Sequence, residues 1–200
     1  PWTIPCNKAI AFSENLNYQL IQIEENINQY NLTKSERIII AENLLPDFCQ
    51  KHSLKNYKIL KVMNTSDLKK VKCEHPLKKI GFGFTVNLFV AEHVTDEAGT
   101  GFVHIAPNHG IEDFEVGKKN NLEITSTIDD GGLYTSNISY FEGIHVYKAD
   151  NQVIEELKKS FTLISEYDYS HSYPHSWRSK APLIFRATSQ WFISLERKNL

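Results

Sequence analysis

Cysteine is scarce in this chain. Its 200 residues hold three, Cys6, Cys49 and Cys73. They are odd in number and widely spaced, which argues against a disulfide framework and for a reducing, cytoplasmic setting. No CxxC or other close Cys/His ligand pairing supports a zinc site, so no metal site is expected. Long apolar runs are missing too; none approaches the length that spans a bilayer, and no membrane partner is expected. No signal-peptide pattern opens the chain, which begins Pro1-Trp2-Thr3 and stops at Leu200 just after an aromatic run. Both ends have the look of a piece cut from a longer protein. The Rossmann and P-loop glycine patterns are absent, which leaves Gly81-Phe82-Gly83-Phe84 as a bend rather than a phosphate cradle. There is no strong charge bias, the formal net charge being −2.

What is present is ordinary in bulk. Apolar residues make up 41% and charged residues 23%, a soluble globular balance. The length suffices for one well-filled domain or a little more. The small net charge hides an asymmetry. Nine lysines lie between Lys51 and Lys79 against Asp67 and Glu74, while Gly101 to Asp150 carries eight acids against three lysines. A basic strip beside an acidic region suits a polyanion that presents a cationic end to a pocket. A merely solvated lysine-rich loop has the same composition.

The stretch Gly99 to Phe114, GTGFVHIAPNHGIEDF, concentrates chemistry. Its sixteen residues include three glycines, two histidines, two acids and a proline. Gly99-Thr100-Gly101 is a turn signal. Phe102 to Ala106 reads as a short strand, broken at Pro107-Asn108-His109-Gly110. A helix then begins at Ile111, with Ile111, Phe114 and Leu122 available for its buried side. His104 and Asp113 stand at the two ends of that connection, close enough to share a pocket. Residue types alone leave a plainer reading open: a packed strand histidine, and an acid serving a helix start.

The pattern GTGxVHxAPxHGxxD resembles the signature of the editing domain inserted in isoleucyl-tRNA synthetases. The valyl and leucyl relatives share the GTG turn and the Asp but lack the run Val103-His104-Ile105-Ala106-Pro107. The opening Trp2-Thr3, followed by Asn7, resembles the end of the threonine-rich segment that lines the editing pocket. The threonines that the pattern places upstream are absent from the sequence. His171 to Phe192, HSYPHSWRSKAPLIFRATSQWF, resembles the segment by which those enzymes return to their catalytic core. Where some relatives carry cysteines, this chain has Ser176 and Ser179, again giving no metal. Without the resemblance, the same aromatic and basic run reads as a single-strand nucleic-acid surface.

The resemblance implies an α+β, β-rich fold, with a β-barrel-like core and short peripheral helices. It divides the chain into an editing domain over 1–170 and a return segment over 171–200. It implies hydrolytic proofreading of Val-tRNA(Ile). Valine is one methylene smaller than isoleucine, a difference worth about 1–3 kcal/mol, and the isoleucyl enzymes are the known case of that shortfall. Asp113 would anchor the substrate ammonium, and His104 would form the pocket wall that excludes isoleucine. Trp2, Thr3, Asn7, His109 and Gly110 would contact substrate or shape the loop. No cofactor is expected of this domain, although the parent enzyme uses ATP and Mg. Expected partners are tRNA(Ile) carrying valine, valine as product and the parent's catalytic domain. The alternatives are a passive tRNA-docking module without hydrolysis and a metal-dependent hydrolase.

The rest reads locally. Lys8–Phe12 and Tyr18–Glu24 are expected strands joined as a hairpin through Ser13-Glu14-Asn15. A helix is expected from Ser35, as its cap, to Leu45, with Pro46 kinking or restarting it into a second helix to His52. Tyr57–Met63 and Val86–Glu92 read as strands, the second next to the Phe102 strand. Lys69–Ile80 reads as irregular, and Leu122–Ile128 and Leu163–Tyr169 as strands. Asp129-Asp130-Gly131-Gly132 is a turn. Ala149–Ser160 is a helix with Ile154, Leu157 and Phe161 on one side.

Overall fold

A computed structural model describes residues 1–27, 32–168, 170 and 172–195. Two sheets carry the fold. The first has strand order β5-β6-β1-β7, made of β1 (Ala9–Phe12), β5 (Lys72–Glu74), β6 (Thr85–Val90) and β7 (Phe102–Ile105). β1 runs parallel to β6 and antiparallel to β7, and β5 is antiparallel to β6. The second sheet, β3-β2-β4, is antiparallel and consists of β2 (Tyr18–Ile23), β3 (Arg37–Ala41) and β4 (Tyr57–Met63). The helices are short: α1 (Leu45–His52), α2 (Thr65–Leu68), α3 (Ile111–Lys119) and α4 (Val146–Ser160). The mixed, β-rich class is the one expected.

β1 is the centre of the first sheet because it is apolar on both faces. Ala9, Ala11 and Phe12 are fully buried, the pattern of a strand flanked by neighbours on both edges. Those edges belong to β6 and β7, so β1 and β2 do not form the expected hairpin. Ser13 lets the chain cross to the second sheet, and the buried Tyr18 hydroxyl fixes the crossing. It accepts the Ser13 N–H at 3.0 Å and donates to the Gly101 carbonyl at 2.7 Å. For the same reason β6 and β7 are not neighbours, since β1 lies between them.

The expected helix from Ser35 is instead β3. Three consecutive β-branched isoleucines favour a strand, and β2 supplies its partner. Ser35 takes a left-handed φ of 78° rather than capping a helix. Pro46 lies in the first turn of α1, where its missing N–H costs no bond. Tyr57–Met63 is β4 as expected, and β5 lies within the stretch expected to be irregular. Gly81, at φ 114°, makes the expected bend. Leu122–Ile128 forms only an isolated bridge from Ile128 to Tyr134, and 163–168 carries no strand. Tyr169 and His171 lie outside the described residues.

α4 begins three residues earlier than expected, capped by His145 Nδ1, which accepts the Tyr147 N–H at 3.3 Å. Val146, Ala149, Val153 and Leu157 form its buried stripe, while Phe161 ends the helix at φ 58° and is 76% exposed. In α3 the buried residues are Val116 and Gly117 rather than Ile111, which is 70% exposed. Gly117 is required by close approach: a Cβ there would come within 2.8 Å of Pro107 Cβ. That contact seats α3 against the turn following β7.

Candidate functional site

The opening segment reaches the site through a 3-10 turn, Ile4–Cys6, with Pro5 pre-setting its backbone. Thr3 precedes that turn, and its Oγ1 lies 3.1 Å from His104 Nε2 on β7. Both line a cleft of about 1050 Å³. α4 contributes Asp150, Asn151, Ile154, Glu155 and Lys158 to it, and the 163–168 segment supplies further wall, including Glu166 and Asp168. Water reaches His104 through the cleft, but protein encloses the rest of the ring. That desolvation pushes its pKa down to about 4, so the ring is neutral at pH 7. The carboxylates of Asp150, Glu155, Glu166 and Asp168 make the lining acidic. Lys158 answers one of them, pairing with Glu166 at 2.8 Å.

The other expected site residues are placed differently. Asn7 is buried, and its Oδ1 accepts the Ile105 N–H at 3.2 Å. It ties the opening segment to the end of β7. The Trp2 N–H donates to Asp150 Oδ1 at 2.9 Å, its carbonyl accepts the Tyr134 hydroxyl, and its ring meets His109 edge-on at 4.9 Å. Asp113 stands in the first turn of α3, half-buried, and is not among the residues lining the Thr3–His104 cleft. Its Oδ2 accepts the Ala106 N–H at 2.8 Å, which orients the carboxylate against the end of β7. Burial raises its pKa, opposed by that N–H and by His93. Gly110 is extended and packs beside it; a Cβ there would lie 3.4 Å from Asp113 Cγ. His109 spends both ring nitrogens on protein: Nδ1 donates to the Phe185 carbonyl at 3.0 Å and Nε2 accepts the Thr127 hydroxyl at 2.7 Å.

The structure therefore brings Thr3 and His104 together on the cleft. It sets Asp113 against the end of β7, through Ala106. Sequence reasoning missed His75. That ring is 1% exposed, donates from Nε2 to the Ile4 carbonyl at 3.1 Å, accepts the Leu77 N–H at 3.1 Å and stacks on Phe82. It braces the turn that carries Thr3. No spacing pattern around His75 marks this, because its partner lies 71 residues away. Of the acids on the cleft, only Asp150 fell within the acid-rich span seen in the sequence.

The lysine strip is partly consumed internally. Lys61, Lys69 and Lys78 pair with Asp67, Glu14 and Glu74. Lys55, Lys58, Lys70 and Lys72 are exposed.

The model of the family described as "Leucyl-tRNA synthetase, editing domain" matches residues 17–160. The chain belongs to this editing-domain family. Over its full length it is 44% identical to the isoleucine--tRNA ligase of Pelagibacter ubique, 40% to that of Idiomarina loihiensis and 42% to that of Aliivibrio fischeri. Within the family it is accordingly of the isoleucyl type, a CP1 editing domain. The chain spans only 20–22% of the length of these relatives. The fold is similar to the crystal structure of GlLeuRS-CP1, with a TM-score of 0.58 over 85% of this chain and 82% of that one, at 13% identity. The family match includes His104 and Asp113 and begins after Thr3 and Asn7, which the isoleucine--tRNA ligase matches cover.

Proposed function

We propose that this editing domain hydrolyses the ester linking valine to tRNA(Ile). The observation that carries the reading is the Thr3–His104 pair lining an acidic cleft, within a chain of the isoleucyl editing type. The substrate offers an α-ammonium, an ester carbonyl and a small branched side chain. A neutral His104, held by Thr3, acts by shape and leaves too little room for isoleucine's extra methylene. Asp113 lies outside the Thr3–His104 cleft, its carboxylate oriented by the Ala106 N–H, and it anchors the ammonium of a substrate that reaches past the end of β7. Fixing the activated ester in register supplies much of the rate. A water oriented by Thr3 and by the terminal ribose hydroxyls is the attacking group, and no side chain is assigned as general base.

Partners on this reading are tRNA(Ile) carrying valine, valine as product and the catalytic domain of a longer parent chain, in the cytoplasm. Residues 171–200 return the chain toward that domain. The deciding experiment measures deacylation of Val-tRNA(Ile) and Ile-tRNA(Ile) by the full-length enzyme. Wild type releases valine only, Asp113→Ala releases neither, and His104→Ala releases isoleucine as well. Binding of tRNA without turnover would instead make the domain a docking module. Continued rejection of isoleucine by His104→Ala would move the sieve to another residue.

A further inference from the structure

The turn Pro107–Gly110 carries the chain from β7 into α3 and so sets the spacing of His104 and Asp113. Residues remote in sequence hold it. On one side stands the 125–128 segment: Thr127 Oγ1 donates to His109 Nε2 at 2.7 Å, and Asn108 Nδ2 donates to the Thr125 carbonyl. On the other stands the 185–187 segment. The Phe185 carbonyl accepts His109 Nδ1–H at 3.0 Å, and the Ala187 N–H donates to the Asn108 carbonyl at 2.9 Å. Arg186 joins the two sides, its guanidinium reaching the Ile128 carbonyl at 3.4 Å and pairing with Asp130.

One chain of hydrogen bonds thus runs from Thr127 through His109 to Phe185. A histidine facing a carbonyl at one nitrogen and a hydroxyl at the other has no polar atom left for substrate. The 183–190 segment carries no helix or strand of its own, so these contacts are its attachment to the site.

We infer that His109 is a positioning residue: with Thr127 and the 185–187 segment it clamps the site turn, and the seating of that segment sets the geometry of His104 and Asp113. This rests on the hydrolytic reading above. It makes the return segment a working part of the editing centre, although the sequence divides it from that domain.

The test uses the full-length enzyme with Thr127→Val, Thr127→Ser, His109→Ala and the Thr127→Val/His109→Ala double variant. A displaced turn costs rate rather than binding. Thr127→Val is expected to lower kcat for valine release by about 10- to 100-fold with KM little changed. Thr127→Ser restores it, and the double variant is no slower than His109→Ala alone, because both break one clamp. Hydrogen exchange of the Ala187 amide is expected to quicken in Thr127→Val and His109→Ala. A rise in KM alone for His109→Ala, additive losses, or unchanged Ala187 exchange would each overturn the clamp. If the wild type itself releases no valine, the hydrolytic reading falls, and the Ala187 exchange alone decides whether the clamp exists.

Discussion

At the residue scale, His75 shows how one buried ring supports the site. Burial lowers its pKa to about 4 from an ordinary 6.5, and the two bonds it makes suit only the neutral Nε2–H form. The folded state therefore takes up its proton less readily than the unfolded chain. The stability this group supports is present in full above pH 6.5 and is lost as pH falls toward 4. Urea midpoints measured from about pH 7 to about pH 4 should decline, His75 contributing a slope of at most about 1.4 kcal/mol per pH unit. His75→Gln keeps an N–H for the Ile4 carbonyl but does not titrate, so its decline should be shallower. An equal slope in that variant would assign the acid sensitivity elsewhere. His104 and Asp113 were legible as candidates because a motif surrounds them. His75 was not, because nothing local distinguishes a bracing histidine from a solvated one.

At the element scale, the site depends on how closely α3 approaches the turn after β7. Gly117 permits that approach, and Gly117→Ala would drive a methyl group against Pro107. Overpacking of this kind costs about 1–3 kcal/mol. A chemical denaturation midpoint shifted by that amount, together with a loss of valine release as Asp113 moves, is the expected outcome. A gain in stability would show that α3 has room to spare. Elements with a clean local period were legible: β4, β7, α1 and α4 stand close to their expected bounds. β3 was not, because Arg37–Ala41 satisfies a helical pattern as well as a strand. Its conformation was decided by pairing with β2, a contact no local window contains. The buried faces of α3 and α4 were assigned only in part, Ile111 and Phe161 proving exposed, for a related reason. Several apolar residues compete at helical spacing, and only the neighbouring layer selects among them.

At the scale of the whole molecule, charge is distributed in a way that suits an anionic partner with a cationic end. The cleft is lined with carboxylates, while Lys55, Lys58, Lys70 and Lys72 stand exposed elsewhere. If tRNA lies across these lysines, binding releases counterions, and affinity falls steeply with salt. Replacing Lys58 or Lys70 with Gln should flatten the slope of log affinity against log salt by about one for each phosphate that is no longer neutralised. It should leave the preference for valine over isoleucine intact. An unchanged slope would remove the strip from the tRNA path. The sequence by itself determined the family and the β-rich class and offered His104 and Asp113 as candidates, because motif and composition are local and survive in any fold. Only the tertiary structure decided that Thr3 meets His104 while Asp113 braces the end of β7. It also decided that Asn7 and His109 bond to protein, and that residues 185–187 bond to the turn after β7. Each of these depends on contacts between segments dozens of residues apart, which packing creates and periodicity does not encode.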